Sequence, residues 1–195
     1  MFNLTPVVKN LLLINVIIFV AQMILQNVPI NEFLALSNVN MESFRPYQLF
    51  TYMFAHAGPG HIFFNMLGLL FAGPILETYW GQKRFLLFYM IAGIGAGVFN
   101  ILIDLYFGVS FSVMLGASGA VYGVITAFGV VFANMEIKLL LLPFRFKAKY
   151  LVMVLGTITI YSAVMPRAND GVAHLAHLGG IVVALILLQF WKGRT

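Results

Sequence analysis

A single serine, Ser118, stands among small residues in the run Gly116-Ala117-Ser118-Gly119-Ala120-Val121-Tyr122-Gly123, where a long apolar stretch begins. Hydrocarbon offers a hydroxyl no water, so such a serine either bonds back to its own helix or faces a hydrated cavity. Far downstream lies Ala173-His174-Leu175-Ala176-His177-Leu178-Gly179-Gly180. A neutral imidazole beside a hydroxyl makes an activated nucleophile. His177 would take the Ser118 proton as the oxygen attacks a carbonyl, then return it to the leaving amine. Ser118 also falls at a helix start, after the glycine-containing loop from Gly108, where unpaired amides and the positive helix end favour an oxyanion. Tyr122, one turn on, shares its face and is placed to hold a ring partner. His61 and Asn65, also one turn apart, are candidate donors to that oxyanion, each such donor being worth about 3 kcal/mol.

Every one of these residues has a plainer reading. Gly116 with Ala120, and Gly119 with Gly123, are pairs four apart that let helices approach closely, and Gly180 with Ala184 is another. The serine run is not the soluble hydrolase elbow, which needs glycine two places after the serine, where this chain has Ala120. Histidines in membranes are commonly just bonded to a helix neighbour, and His61 and Asn65 would equally satisfy each other or the preceding loop. His174 lies on an adjoining face, nearer the loop, and His56 reads as an interface residue. Glu77 and Arg45 read as structural, pairing or capping near the membrane edges. Asp104 and Asp170 are candidates to orient the histidine only by default, so the expectation is a dyad.

The elements that must position these residues are membrane spans. Of 195 residues, 62% are hydrophobic and 9% charged, and the mean hydropathy is +0.97. Those values belong to an integral membrane protein. Six apolar runs approach the length that crosses about 30 Å of hydrocarbon. They cover 8–25, 61–79, 85–107, 116–133, 150–165 and 172–191. The first run lacks a small-residue cleavage site after it and reads as a retained span rather than a removed signal. The segment 26–60 carries Pro29, Pro46 and Pro59 with Phe44, Tyr47, Phe50, Tyr52 and Phe54. That mixture suits a segment lying in the interface. The fold class expected is an all-α polytopic membrane protein, one six-span domain over 1–195.

Charge sets the orientation. With the N-terminus inside, nine of the 11 basic residues fall on the inner side: Lys9, Lys83, Arg84, Lys138, Arg145, Lys147, Lys149, Lys192 and Arg194. Arg45 and Arg167 alone fall outside, which makes both termini cytoplasmic by the positive-inside rule. The second, fourth and sixth spans then all run inward, so His61, Asn65, Ser118 and His177 lie at similar depth in the outer leaflet. The deeper halves of those spans are almost wholly apolar, which argues against a transporter with midplane polar sites.

Other chemistries fit less well. The net charge of +5 is scattered between spans, as anionic lipid would have it, with no basic stripe for nucleic acid. Cysteine is absent, which excludes disulfides and thiolate metal sites. The zinc-protease run His-Glu-x-x-His is missing, although four histidines on one side leave a metal site open. An aspartyl mechanism needs two intramembrane aspartates, and only Asp104 comes close. Paired histidines as haem ligands would lie deeper in a bundle. Neither a cofactor nor a metal is expected.

Together, His61-Ile62-Phe63-Phe64-Asn65-Met66, Gly116-Ala117-Ser118-Gly119 with Tyr122, and Ala176-His177-Leu178-Gly179-Gly180 resemble the rhomboid intramembrane serine proteases, in order and spacing, over nearly the whole chain. The resemblance implies Ser118 as nucleophile and His177 as base, with His61, Asn65 and the Ser118 amide as the oxyanion hole. It implies Tyr122 stacked on the His177 ring, Gly116 and Gly119 in support, and Phe64 near a substrate entrance between spans two and five. Where the family's first loop usually reads Trp-Arg, this chain has Phe44-Arg45, and Ala184 stands where many members have glycine, suggesting slightly looser packing of span six. The substrates so implied are single-span membrane proteins that unwind near the outer leaflet, with a small residue before the cut. The minimal six-span build, without a transit-like N-terminus or folded cytosolic domain, points to a bacterial inner membrane. The alternative is a catalytically silent relative that binds and escorts membrane helices, against which the intact serine and histidine speak.

Overall fold

The computed structural model describes residues 4–108, 113–138, 144–165 and 174–191. Arg167, Asp170, Lys192, Arg194 and the first two residues of the last apolar run lie outside them. In chain order the helices are α1 (Pro6–Ile24), α2 (Ile30–Leu34), α3 (Gln48–Thr51), α4 (Pro59–Trp80), α5 (Gln82–Phe107), α6 (Ser118–Val131), α7 (Ala148–Val164) and α8 (His174–Trp191). Two short antiparallel pairs join loops: β1 (Leu36–Ser37) with β2 (Val113–Met114), and β3 (Glu136–Ile137) with β4 (Phe146–Lys147). The protein is an all-α polytopic membrane bundle. Helices α1, α4, α5 and α8 are long and apolar enough to cross a membrane, and α6 and α7 are shorter apolar helices. Each apolar run of the sequence holds one of these six helices.

Short devices set the connections. Gly81, at φ +79°, ends α4 and begins α5 in one residue. Gly108, at φ +65°, closes α5 with its N–H on the Asp104 carbonyl at 2.8 Å, a left-handed cap that favours glycine. Helix α1 starts at Pro6 and has no cap from its own Thr5. Its cap comes from α4 instead: the Glu77 carboxylate accepts from the Thr5 hydroxyl at 2.5 Å and from the Val7 and Val8 amides, each at 2.9 Å. Two orphan amides and a hydroxyl at a positive helix end are thus met by one anion, as a structural reading of Glu77 requires. Arg45 is held locally, donating to the Glu42 and Phe44 carbonyls at 2.7 and 2.8 Å.

Small residues decide how close the helices come. Ala92 and Ala96 of α5, Gly119 and Gly123 of α6, and Ala176, Gly180 and Ala184 of α8 each repeat at intervals of four and meet along common seams. A Cβ on Gly119 would lie 2.6 Å from that of Ala96, and one on Gly123 would lie 2.8 Å from that of Ala92. At Gly180 a Cβ would fall 2.0 Å from the Gly119 carbonyl oxygen, so α8 touches the α6 backbone directly. Helix α6 is the centre, packed by α4, α5, α7 and α8. Before α4 the segment 26–60 holds only short helices and β1. Its middle inserts into the bundle: Tyr52, Met53 and Phe54 are buried, and Tyr52 donates to the Gly93 carbonyl at 2.6 Å.

Helices α4, α6 and α8 run in the same direction. Their ends meet through aromatic rings, Tyr79 with Phe132 at 5.2 Å and Trp80 with Trp191 at 6.5 Å. Their starts meet at the opposite end, and there the polar residues gather.

Candidate active site

Ser118 is the first residue of α6, and the turn before it is built around Gly116. Gly116 has φ +122°, a conformation that side chains rarely adopt, and its N–H bonds to the Tyr52 carbonyl at 2.9 Å. A Cβ there would also collide with the His61 ring, 2.6 Å from Cε1 and 2.7 Å from Nε2. Glycine is required twice at this position, once for the backbone and once for the space that His61 fills.

Across the α6–α8 seam, His177 Nε2 lies 2.7 Å from Ser118 Oγ. The Tyr122 ring stacks on the His177 ring with centroids 4.4 Å apart and planes 5° from parallel, which fixes the imidazole from its far face. His174 meets His177 edge-on at 6.1 Å. With the hydroxyl hydrogen on Oγ directed at Nε2, the neutral imidazole carries its own hydrogen on Nδ1. Among the described residues no carboxylate bonds to His177. Asp104 takes a hydrogen bond from the Asn38 amide instead, and Asp170 lies outside the described residues.

His61 and Asn65 open α4 beside this pair. Asn65 is buried and donates to the His61 carbonyl at 2.9 Å, the local bond expected at that spacing. His61 Nδ1 accepts from the Ala57 N–H at 3.3 Å, so in the neutral ring the hydrogen sits on Nε2, on the edge facing Gly116. Helix α6 adds the N–H groups of its first turn, which have no intrahelical carbonyl to bond. Phe64, 70% exposed, and Phe63 point away from the bundle with their rings 5.3 Å apart.

His56 differs from its reading as an interface residue. Its side chain is 2% exposed, and its ring meets His61 edge-on at 5.1 Å. Burial, reinforced by the neighbouring His61 and opposed by the Phe54 carbonyl, pushes its pKa down to about 4. Gln22 of α1, which no motif includes, bonds the His56 backbone on both sides. The available signal was its presence as a polar side chain inside an apolar run. Among the described residues no group of three or more histidines and carboxylates is placed to hold a metal ion.

A family model for the rhomboid domain matches residues 43–192. The chain belongs to the rhomboid family. This rhomboid is 30% identical to RHOMBOID-like protein 12, mitochondrial, of Arabidopsis thaliana over 205 residues, covering 96% of the chain and 59% of that protein. It is 29% identical to RHOMBOID-like protein 1 of the same plant over 141 residues, covering 72% of the chain and 33% of that protein. It is 35% identical to the Rhomboid protease GluP of Bacillus subtilis over 81 residues, covering 42% of the chain and 15% of that protein. The chain therefore spans about a third to three fifths of the length of these two plant relatives. Family membership places it among membrane proteins whose relatives include proteases.

Proposed function

We propose that this rhomboid is an intramembrane serine endopeptidase that cuts single-span membrane proteins near the outer leaflet, using Ser118 and His177 as a dyad. One observation carries the reading: the 2.7 Å approach of His177 Nε2 to Ser118 Oγ, with the imidazole held against Tyr122. His177 takes the hydroxyl proton as Oγ attacks the scissile carbonyl carbon. The carbonyl oxygen becomes an oxyanion, received by the Ser118 N–H, His61 Nε2–H and the Asn65 amide. Collapse breaks the C–N bond, and His177 gives its proton to the departing amine. Water then attacks the acyl-serine with His177 again as base, releasing the acid and restoring the hydroxyl. No cofactor or metal takes part.

The same reading takes α6 and α7 as spans, giving six in one unit over 1–195, with 26–60 as the interfacial loop. At 1.5 Å per residue, the 14 residues of α6 reach about 21 Å, against about 30 Å of hydrocarbon. A helix that short supports a nucleophile sunk below the outer face, where a substrate helix must unwind to present its shielded peptide bond. The substrate enters between α4 and α7, past Phe64, while membrane lipids surround the rest and nucleic acid has no part. Both termini lie in the cytoplasm, as the basic residues suggest, and the membrane in this reading is a bacterial inner membrane. Because the chain has no cysteine, single cysteines introduced near Lys9 and Trp191 and labelled from either side report the orientation.

The deciding experiment compares cleavage of a single-span reporter by wild type, Ser118→Ala and His177→Ala in liposomes. Cleavage by wild type alone is expected. Equal cleavage by all three ends the protease reading, and reporter binding without cleavage by wild type favours the escort.

A further inference from the structure

The side chains of the proposed site all lie on α4, α6 and α8, yet the hydrogen bond that sets the His61 tautomer comes from a loop peptide. That peptide joins His56 to Ala57. Its N–H, on Ala57, reaches His61 Nδ1 at 3.3 Å. Its C=O, on His56, accepts from Gln22 Nε2 at 3.1 Å. In a trans peptide these two groups point in opposite directions within one rigid plane. Holding the carbonyl on one side therefore aims the N–H on the other. Gln22 also accepts from the His56 N–H at 3.0 Å, so its amide grips this residue at both backbone groups. A further bond from Gln22 Nε2 to Asn31 Oδ1 keeps the amide from turning over. The same grip seats the His56 ring, buried, against His61.

We infer that Gln22 is a positioning residue for the oxyanion pocket: it fixes the 56–57 peptide so that the Ala57 N–H occupies His61 Nδ1 and leaves the Nε2 hydrogen on the edge facing Gly116. The inference rests on the proposed protease reading for its consequence in rate, but the tautomer itself is measurable without catalysis. Gln22 touches no reacting atom. Its amide sets an NH2 donor and a carbonyl acceptor at fixed spacing, which neither a carboxylate nor a thioether of similar length reproduces.

The test uses the full chain in detergent or liposomes, labelled with ¹⁵N-histidine, the His61 signals being those that vanish in His61→Gln. In wild type the His61 ring shows the Nε2–H tautomer. In Gln22→Met the ring is expected to average between tautomers, while kcat on a single-span reporter falls about tenfold, the weight of one ordinary hydrogen bond. KM stays within about twofold, because the lost interaction forms only in the transition state. Gln22→Glu, which keeps the acceptor but loses the donor, gives a second variant with the same expected result if the methionine variant folds poorly. An unchanged His61 ring pattern in a folded Gln22 variant overturns the assignment, whatever the rate. If wild type and Ser118→Ala cleave alike, the protease reading falls, and the ring pattern alone still decides the role of Gln22.

Discussion

Gly180→Ala tests whether backbone contact between α6 and α8 sets the distance between the serine and the imidazole. The new Cβ would lie 2.0 Å from the Gly119 carbonyl oxygen, 2.9 Å from its carbon and 3.2 Å from its Cα. All three are backbone atoms on a helix, so no side chain can swing aside. Ordinary contact begins near 3.5 Å, and the helices must part by roughly 1 to 1.5 Å. Gly119 follows Ser118 directly, and His177 lies one turn before Gly180, so the separation is passed almost whole to the reacting pair. A gap of 2.7 Å then opens to about 4 Å, beyond hydrogen-bond reach. Displacement of that size costs about 100-fold in rate, and overpacking costs about 1–3 kcal/mol of stability. Initial rates on a single-span reporter, with thermal unfolding in the same detergent, measure both. Gly156→Ala on α7 is the control, since nothing lies within 4 Å of its Cβ position. It should cleave at the wild-type rate. A folded Gly180→Ala protein that cleaves at the wild-type rate would refute the reasoning.

Three further perturbations follow from the same geometry. Tyr122→Phe keeps the 4.4 Å stack on His177 and should cleave within about twofold of wild type, whereas Tyr122→Ala loses the ring and should fall roughly tenfold in the reporter assay. Glu77→Ala leaves three donors at the start of α1 without their acceptor, and should lower unfolding stability by about 3 kcal/mol. His56 titrates near 4 in the folded protein against its ordinary 6.5, so the unfolded chain binds this proton first. Its contribution is therefore complete above about pH 6.5 and is lost, up to about 3 kcal/mol, as pH falls towards 4. His56→Gln should flatten that part of the stability profile relative to wild type, as read by thermal unfolding at stepped pH.

The six apolar helices were legible because hydrocarbon demands long unbroken runs, and the runs show in the residues themselves. The seams were partly legible. Gly119 with Gly123 and Gly180 with Ala184 announce close packing, but spacing alone does not say which backbone each one meets. Gly93 and Gly97 of α5 make the point, for they have the same spacing, yet what lies nearest to them is Met53 and Tyr52 of the 26–60 segment, with Ala120 of α6 farther from Gly93. The segment 26–60 was least legible. Its contacts join residues tens of positions apart without any period, as when the Gly116 N–H finds the Tyr52 carbonyl or Gln22 finds His56. Aromatic content read as interfacial also serves burial, and only the fold distinguishes Tyr52, fully enclosed, from Tyr47 and Phe50, which stay exposed.

The region that matches the rhomboid domain begins at residue 43 and so leaves out α1, yet α1 is fastened at both ends to the helix that carries His61 and Asn65 or to the loop leading into it. At its start the Glu77 carboxylate of α4 holds Thr5, Val7 and Val8, and near its finish Gln22 holds His56. At the same start Val8 fills the space that Gly73 leaves on α4, where a Cβ would come within 2.7 Å of the valine methyl. A helix joined only by apolar contact in hydrocarbon has little to fix its height, because lipid tails are as apolar as its neighbours. Polar bonds at the two ends remove that freedom. They fix α1 along its own axis, and the peptide beside His61 inherits that position. The first helix thus serves as a strut: its start is set by α4, and its finish sets the loop from which α4 begins.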